Sequence, residues 1–285
     1  MPAGKYSVNA SKANHAFRSR LTVSRPEFEP RRFRSTVPYY ARYRLAYPPE
    51  LIARVIDLAG LAPGAHVMDL GCGPGLLGIQ FAKAGMRVMA VDPEPDMLEA
   101  GRSAAREAGV EVDFRQGSSF DLPATEPLAL VAMGRSFHWM DRAEILRSLN
   151  WRVVPSGAIA LFEDNHPRTA ENKWLDDMRE IENRFGADAA SHRAARRSTE
   201  YRSHLSYLLE SHFSHLVRVG VYIRQTITAD DIVGRAFSLS VLSHETLGGR
   251  AADFERELRG ALGEISADGR FTEIAELAAI VAMRV

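Results

Sequence analysis

The chain has 285 residues, 46% of them hydrophobic, enough to bury a sizeable core in one large domain or a domain with an insertion. Lys+Arg and Asp+Glu balance at 36 each for a formal net charge of +0, so bulk charge makes no case for nucleic acid or a membrane surface as partner. The single cysteine, Cys72, excludes an intramolecular disulfide framework and a multi-cysteine zinc site.

Basic residues from Lys5 to Arg44 dominate the N-terminal segment, opposed only by Glu27 and Glu29. Residues 1–36 read as a basic, poorly ordered leader; a nucleic-acid-binding arm is the other reading of that charge. No apolar stretch there has the length of a secretory signal core, and none in the chain approaches the roughly 20 residues of a membrane span, so a cytoplasmic protein is expected.

Residues 37–168 read as a core of alternating helices and strands. In PPELIARVIDLAGL, apolar residues at Leu51, Ile52, Val55, Ile56 and Leu58 have helical spacing, and AHVMDLG follows as a short buried strand. PGLLGIQFAKAG is the next helix, RVMAVD a strand ending on Asp92, and PDMLEAGRSAAREAG another helix. VEVDFRQG and LALVAMG are strands, AEILRSLNWRVV a helix and GAIALFED a fifth strand. This alternation predicts an α/β, Rossmann-like doubly wound, mostly parallel sheet with helices on both faces. Residues 169–213 are polar and helical in pattern, with no strand signal, and are expected to form a helical lid inserted after the fifth strand. Residues 214–285 complete the core: LVRVGVYIRQ as a strand, TADDIVGRAFSLSVLS and AADFERELRGALGEI as helices, and EIAELAAIVAMRV as a final edge strand.

VMDLGCGPGLLG clusters glycines at the turn from the first strand to its helix, where an open parallel sheet binds ligands. Glycine is unfavourable there unless the backbone needs positive φ or something packs close to it. Gly71, Gly73 and Gly75 fall at every second position. A register of Gly73, Gly75 and Gly78 also satisfies the dinucleotide pattern G-x-G-x-x-G, but it leaves Asp69 and Gly71 unexplained. Asp69 would repel phosphate and accept an amino-acid ammonium, while Asp92 at the next strand end is placed to accept hydrogen bonds from ribose hydroxyls. Together the two carboxylates describe a nucleoside joined to an amine-bearing group. Cys72 reads as a small apolar side chain.

VMDLGCGPG, VMAVDPEPDML, RQGSSFDLP and MGRSFHWMDR, in that order between Tyr39 and Asp164, resemble the successive motifs of class I S-adenosylmethionine-dependent methyltransferases, in the branch of small stand-alone bacterial enzymes. The resemblance implies S-adenosyl-L-methionine as cofactor and S-adenosyl-L-homocysteine as product. It implies that Gly71, Cys72, Gly73 and Gly75 line the methionine part and that Asp69 faces its ammonium. Asp92 would bind the ribose, Pro93 and Met97 would flank the adenine, and Ser118 and Ser119 would sit at its edge, where many relatives carry an acid in place of Ser118. Gly134, Arg135 and Ser136 would lie beside the sulfonium. In YYARYRLAYP, Tyr40, Tyr43 and Arg44 would cover the cofactor, with Arg44 near its carboxylate; ordinary helix packing is the other reading of the tyrosines.

Methyl transfer from a sulfonium is an in-line displacement that gains mainly from positioning, worth on the order of 7–11 kcal/mol. His138 in SFHWMD is the candidate catalytic base, with a structural histidine as the alternative. Trp139 reads as packing under the adenine or against the next helix, and Asp141 as a helix N-cap. Glu163, Asp164 and His166 leave the fifth strand together as candidate substrate-binding residues, and the acidic loop points to an amine acceptor. No metal is expected: His212 and His215 have helical spacing but no joining acid or cysteine, and with His192 and His204 they read as surface histidines. The expected function is methyl transfer to nitrogen or oxygen of a small-molecule acceptor such as a natural-product amine, selected by the lid, without nucleic-acid or membrane partner. A non-catalytic S-adenosylmethionine-binding protein and an NAD(P)-dependent oxidoreductase are the alternatives.

Overall fold

The computed structural model describes residues 34–186 and 202–284. The leader expected over residues 1–36 therefore lies outside the described residues except for its end, a turn of 3₁₀ helix at Arg34–Thr36, and so does His192 of the expected lid.

Proline and glycine punctuate the elements as the sequence predicts. α1 (Val37–Tyr43) and α2 (Pro49–Leu58) precede β1 (His66–Leu70), which turns through the glycines into α3 (Leu76–Lys83). β2 (Arg87–Asp92), α4 (Pro95–Glu107), β3 (Asp113–Gln116), β4 (Leu128–Gly134), α5 (Arg142–Leu149) and β5 (Val153–Asn165) follow. Then come α6 (Trp174–Phe185), α7 (His204–Leu209), β6 (His215–Thr228), α8 (Ala229–Phe237), the short α9 (His244–Leu247), α10 (Ala251–Ile265) and β7 (Arg270–Met283).

The strands form one seven-stranded sheet in the order β3-β2-β1-β4-β5-β7-β6. β1 pairs in parallel with both β2 and β4, so the order reverses there, and the crevice above the carboxyl ends of these strands is where such a sheet takes its ligand. Successive side chains point to opposite faces. Val67, Leu130 and Ala132 pack on one side with α2 and α3, whereas Met68, Val131 and Met133 pack on the other with α5. Burial on both faces is why these strands read as near-continuous apolar runs.

Three expectations are corrected. EIAELAAIVAMRV is not an edge strand: β7 lies between β5 and β6, antiparallel to both, and β6 is the edge. Its residues Ala275, Leu277, Ala279 and Val281 are buried on one face and Ala278 and Ala282 on the other, as an interior strand requires. Val153 and Val154 belong to β5 rather than to the preceding helix, because α5 stops at Leu149 and a three-residue turn separates the two. His212 and His215 do not share a helix, since His212 sits in a bend and His215 opens β6.

The region expected to be a lid contributes two described helices that serve different cores. Trp174, Leu175, Met178 and Ile181 of α6 pack with Phe237 of α8 and Phe254 and Leu258 of α10. Leu208 of α7 and Phe213 instead enter the layer beneath α5.

Candidate functional site

The three glycines after β1 all adopt positive φ: +70° at Gly71, +53° at Gly73 and +76° at Gly75. Their surroundings differ. A Cβ on Gly71 would lie 2.5 Å from the Ser136 Cβ, and one on Gly75 2.9 Å from the Phe114 ring. At Gly73 nothing stands nearer than 3.9 Å, where the Met97 sulfur and the Tyr40 ring face it across open space. Gly71 and Gly75 thus let the loop after β4 and the β3 side chain of Phe114 approach, and Gly73 leaves room for a ligand. Gly78, third glycine of the dinucleotide register, has another duty: its amide donates to Asp69 Oδ2 at 2.8 Å, and a Cβ would come within 3.1 Å of that oxygen.

Asp69 is almost wholly buried, and its Oδ1 has no hydrogen-bond partner. Burial pushes its carboxyl up to about 7, although the Gly78 amide opposes the rise. The side chain pins the turn into α3 and is not on the wall of the cavity. Asp92 is. Its Oδ2 accepts from the Gly73 amide at 2.8 Å and its Oδ1 from the Glu94 amide at 3.0 Å, fixing the glycine loop to the end of β2. Burial raises its carboxyl to about 6, against the pull of those two amides.

A cavity of about 360 Å³ opens at this crevice, within the range of small-molecule sites. Of the residues expected around a cofactor, Gly71, Gly73, Asp92 and Pro93 line it from the ends of the first two strands and Met97 from α4. Ser118 and Ser119 line it after β3, and Gly134, Arg135 and Ser136 after β4. Tyr40 and Arg44 close it from the N-terminal side, with the Arg44 guanidinium 5.0 Å from the Tyr40 ring centre and its pKa lowered by burial. Gly75 and Cys72 do not line it, and the Cys72 side chain packs with Ile79, Leu98 and Phe114. The Tyr43 ring lies against Gly234 of α8, away from the cavity, which accords with the helix-packing reading.

His138 lines the cavity, its ring 4.9 Å from that of Trp139 and 6.4 Å from that of His204 in α7. Trp139 lines it too. Asp141 caps α5, accepting from the Glu144 amide at 3.0 Å. Arg135, the one non-glycine positive-φ residue among those described (+58°), pairs with Asp164 at 3.1 Å and donates to the Leu45 carbonyl.

The three candidate substrate residues at the end of β5 each meet a different partner, and none lines the cavity. Glu163 pairs with Arg218 of β6 at 3.2 Å, Asp164 with Arg135, and the His166 Nε2 lies 2.7 Å from Glu273 Oε1. Both carboxylates are already neutralised by arginine.

Sequence reasoning missed Phe120, Met140, Ser238, Leu239 and Ser240 on the cavity wall. Phe120 directly follows Ser118 and Ser119 in the SSF stretch and could have been read from it. Ser238–Ser240 lie more than 90 residues beyond His138 and become neighbours of the glycine loop only through the fold. No group of three or more metal-ligating side chains occurs among the described residues, and no helix among them is long and apolar enough to cross a membrane.

Residues 67–157 match the family described as Methyltransferase domain. The ubiquinone biosynthesis O-methyltransferase of Xanthomonas campestris is 36% identical over 111 residues, 38% of this chain and 46% of that protein. An uncharacterized methyltransferase of Mycobacterium tuberculosis is 30% identical over 155 residues, 54% of this chain and 60% of that protein. The chain thus spans about half the length of the curated relatives it matches. In fold it is similar to a SAM-dependent methyltransferase from Thiobacillus denitrificans solved with S-adenosyl-L-homocysteine, at a TM-score of 0.52 and 16% identity, covering 91% of this chain and 100% of that one.

Proposed function

We propose that this chain, whose residues 67–157 match a methyltransferase-domain family, is a class I enzyme that moves a methyl group from S-adenosylmethionine to an oxygen or nitrogen of a small-molecule acceptor. The observation that carries the reading is one cavity walled by the open Gly73, by Asp92 at the end of β2 and by His138 after β4. Methyltransferase relatives in sequence and a methyltransferase in fold support it.

When bound, S-adenosylmethionine supplies an electrophilic methyl on a sulfonium. Asp92 would accept from the ribose hydroxyls with the lone pairs its two backbone bonds leave over, Met97 and Pro93 would hold the base, and Arg44 would meet the carboxylate. Asp69 acts on the site through the loop it pins. His138 takes the acceptor's proton as the new bond forms, which matters most for a hydroxyl nucleophile whose proton must leave early.

The arginine pairing of Glu163 and Asp164 favours a neutral nucleophile over an ammonium-bearing one, so we read the acceptor as a small hydroxylated metabolite, natural-product scaffolds included. A curated relative that is an O-methyltransferase supports this choice. The match to a methyltransferase-domain family and the methyltransferase relatives favour this reading over the oxidoreductase alternative.

Calorimetric titration with S-adenosyl-L-homocysteine and NADH tests the reading. Wild-type protein should bind the homocysteine nucleoside and Asp92→Ala should not; binding of NADH alone would sink the proposal. With an acceptor in hand, His138→Gln should lower turnover by about 10²–10⁴-fold and leave nucleoside affinity unchanged. An unchanged turnover would make His138 structural.

A further inference from the structure

Ser238, Leu239 and Ser240 wall the cavity although they lie far outside the matched segment, just past α8. A buried charge cluster ties them to the opposite wall. Glu273 of β7 is completely buried; Arg235 of α8 bonds it with both terminal nitrogens, one of them at 3.2 Å, and Gln225 of β6 donates to it at 2.7 Å. His166, leaving β5, meets its other oxygen at 2.7 Å. Burial raises the Glu273 carboxyl, but the hydrogen bonds from His166 and Arg235 outweigh it and pull it down to about 2, so the group is charged at neutral pH.

Arg235 has one nitrogen left over. Its Nε donates to the Tyr43 carbonyl at 3.2 Å, at the end of α1, and the Tyr43 ring lies so close to Gly234 that a Cβ there would stand 2.3 Å from it. The next residue, Arg44, donates back to the Ser238 carbonyl at 3.4 Å and stacks on Tyr40. Glu273, Arg235, Tyr43, Arg44 and Ser238 thus make a closed circuit from the sheet to both walls.

We propose that Arg235 and Glu273 form a latch that holds α1 against α8, and that Arg235 is a positioning residue that sets Tyr40 and Arg44 over the cofactor cavity. The ligand in question rests on the methyltransferase reading; the latch itself does not. Arginine suits the post because its planar fork can hold a carboxylate with two nitrogens while the third reaches elsewhere.

The test uses the full chain and the paired variant Arg235→Met/Glu273→Gln, which removes both charges and so avoids leaving one buried alone. Amide exchange over residues 37–44 is measured without ligand, and S-adenosyl-L-homocysteine affinity by calorimetry. The latch predicts faster exchange in α1 with β1 and β4 unchanged, and an affinity loss on the order of tenfold as the fraction of closed cavity falls to about a tenth. Either change without the other overturns the proposal, as does wild-type behaviour in both. If the paired variant does not fold, Arg235→Lys keeps the charge opposite Glu273 without the second arm, and the same two readouts apply. Should wild-type protein fail to bind the nucleoside, the methyltransferase reading falls, and α1 exchange alone decides the latch.

Discussion

Gly71 and Gly73 share positive φ yet are glycine for different reasons, and substitution separates them. Gly71→Ala adds a clash with Ser136 to backbone strain of about 1–3 kcal/mol, so a thermal melt should show a clear loss of stability together with lost nucleoside binding. Gly73→Ala meets only strain, and its methyl group enters open cavity: the melt should shift less, and binding should still fail. Asp69 and Asp92 each contribute a pH dependence. Burial raises both folded carboxyls, to about 7 and about 6, above the ordinary 3.8. The folded chain therefore holds protons that the unfolded chain has released between those values. That stability is complete below about pH 4 and is lost as pH rises through 6 and 7. Urea denaturation at pH 5 and pH 8 should differ less for Asp69→Asn than for wild type, because the variant has no proton to release.

Among the elements, α8 does most for the site without contributing a motif. Its start carries a capping box, in which Thr228 Oγ1 accepts from the Asp231 amide and Asp231 Oδ2 from the Thr228 amide. Its end carries Arg235 and leads into Ser238. Thr228→Ala should cost about 0.5–2 kcal/mol in a denaturant melt while leaving nucleoside affinity near wild type, because the cap lies at the end of the helix far from the cavity. β6 shows the contrasting economy of an edge. Its residues alternate between partly buried and exposed, and Arg218, half exposed, bridges Glu163 and Glu276; such a pair is worth at most about 1 kcal/mol.

The molecule as a whole is closed by its C-terminal strand. β7 supplies every described partner of β6 and the second edge of β5, and its apolar residues are shared between the two cores flanking the sheet. A chain ending at Ile265 would strip β5 of that edge and leave β6 unpaired, although the matched segment 67–157 is untouched. Such a truncation should lose cooperative unfolding by circular dichroism; a sharp melt would mean that the rest of the chain folds without β7.

The core order of elements was legible because local patterns carried it. Apolar runs buried on both faces marked the parallel strands, and glycines with an acid before them marked the crevice. Many cavity-lining residues were legible too, since they sit within three residues of a strand end and strand ends converge by geometry. What lay beyond the sequence depends on pairing at a distance. Whether β7 sits inside or at the edge depends on which strand lies beside it. Whether Glu163 and Asp164 are free carboxylates depends on Arg218 and Arg135, and the place of Ser238 on the wall depends on Arg235 meeting Glu273 across 38 residues. Residue type and spacing determined where a ligand could approach the backbone; only the tertiary structure decided which charges were already spent, because a carboxylate's partner is chosen by contact in space and not by position along the chain.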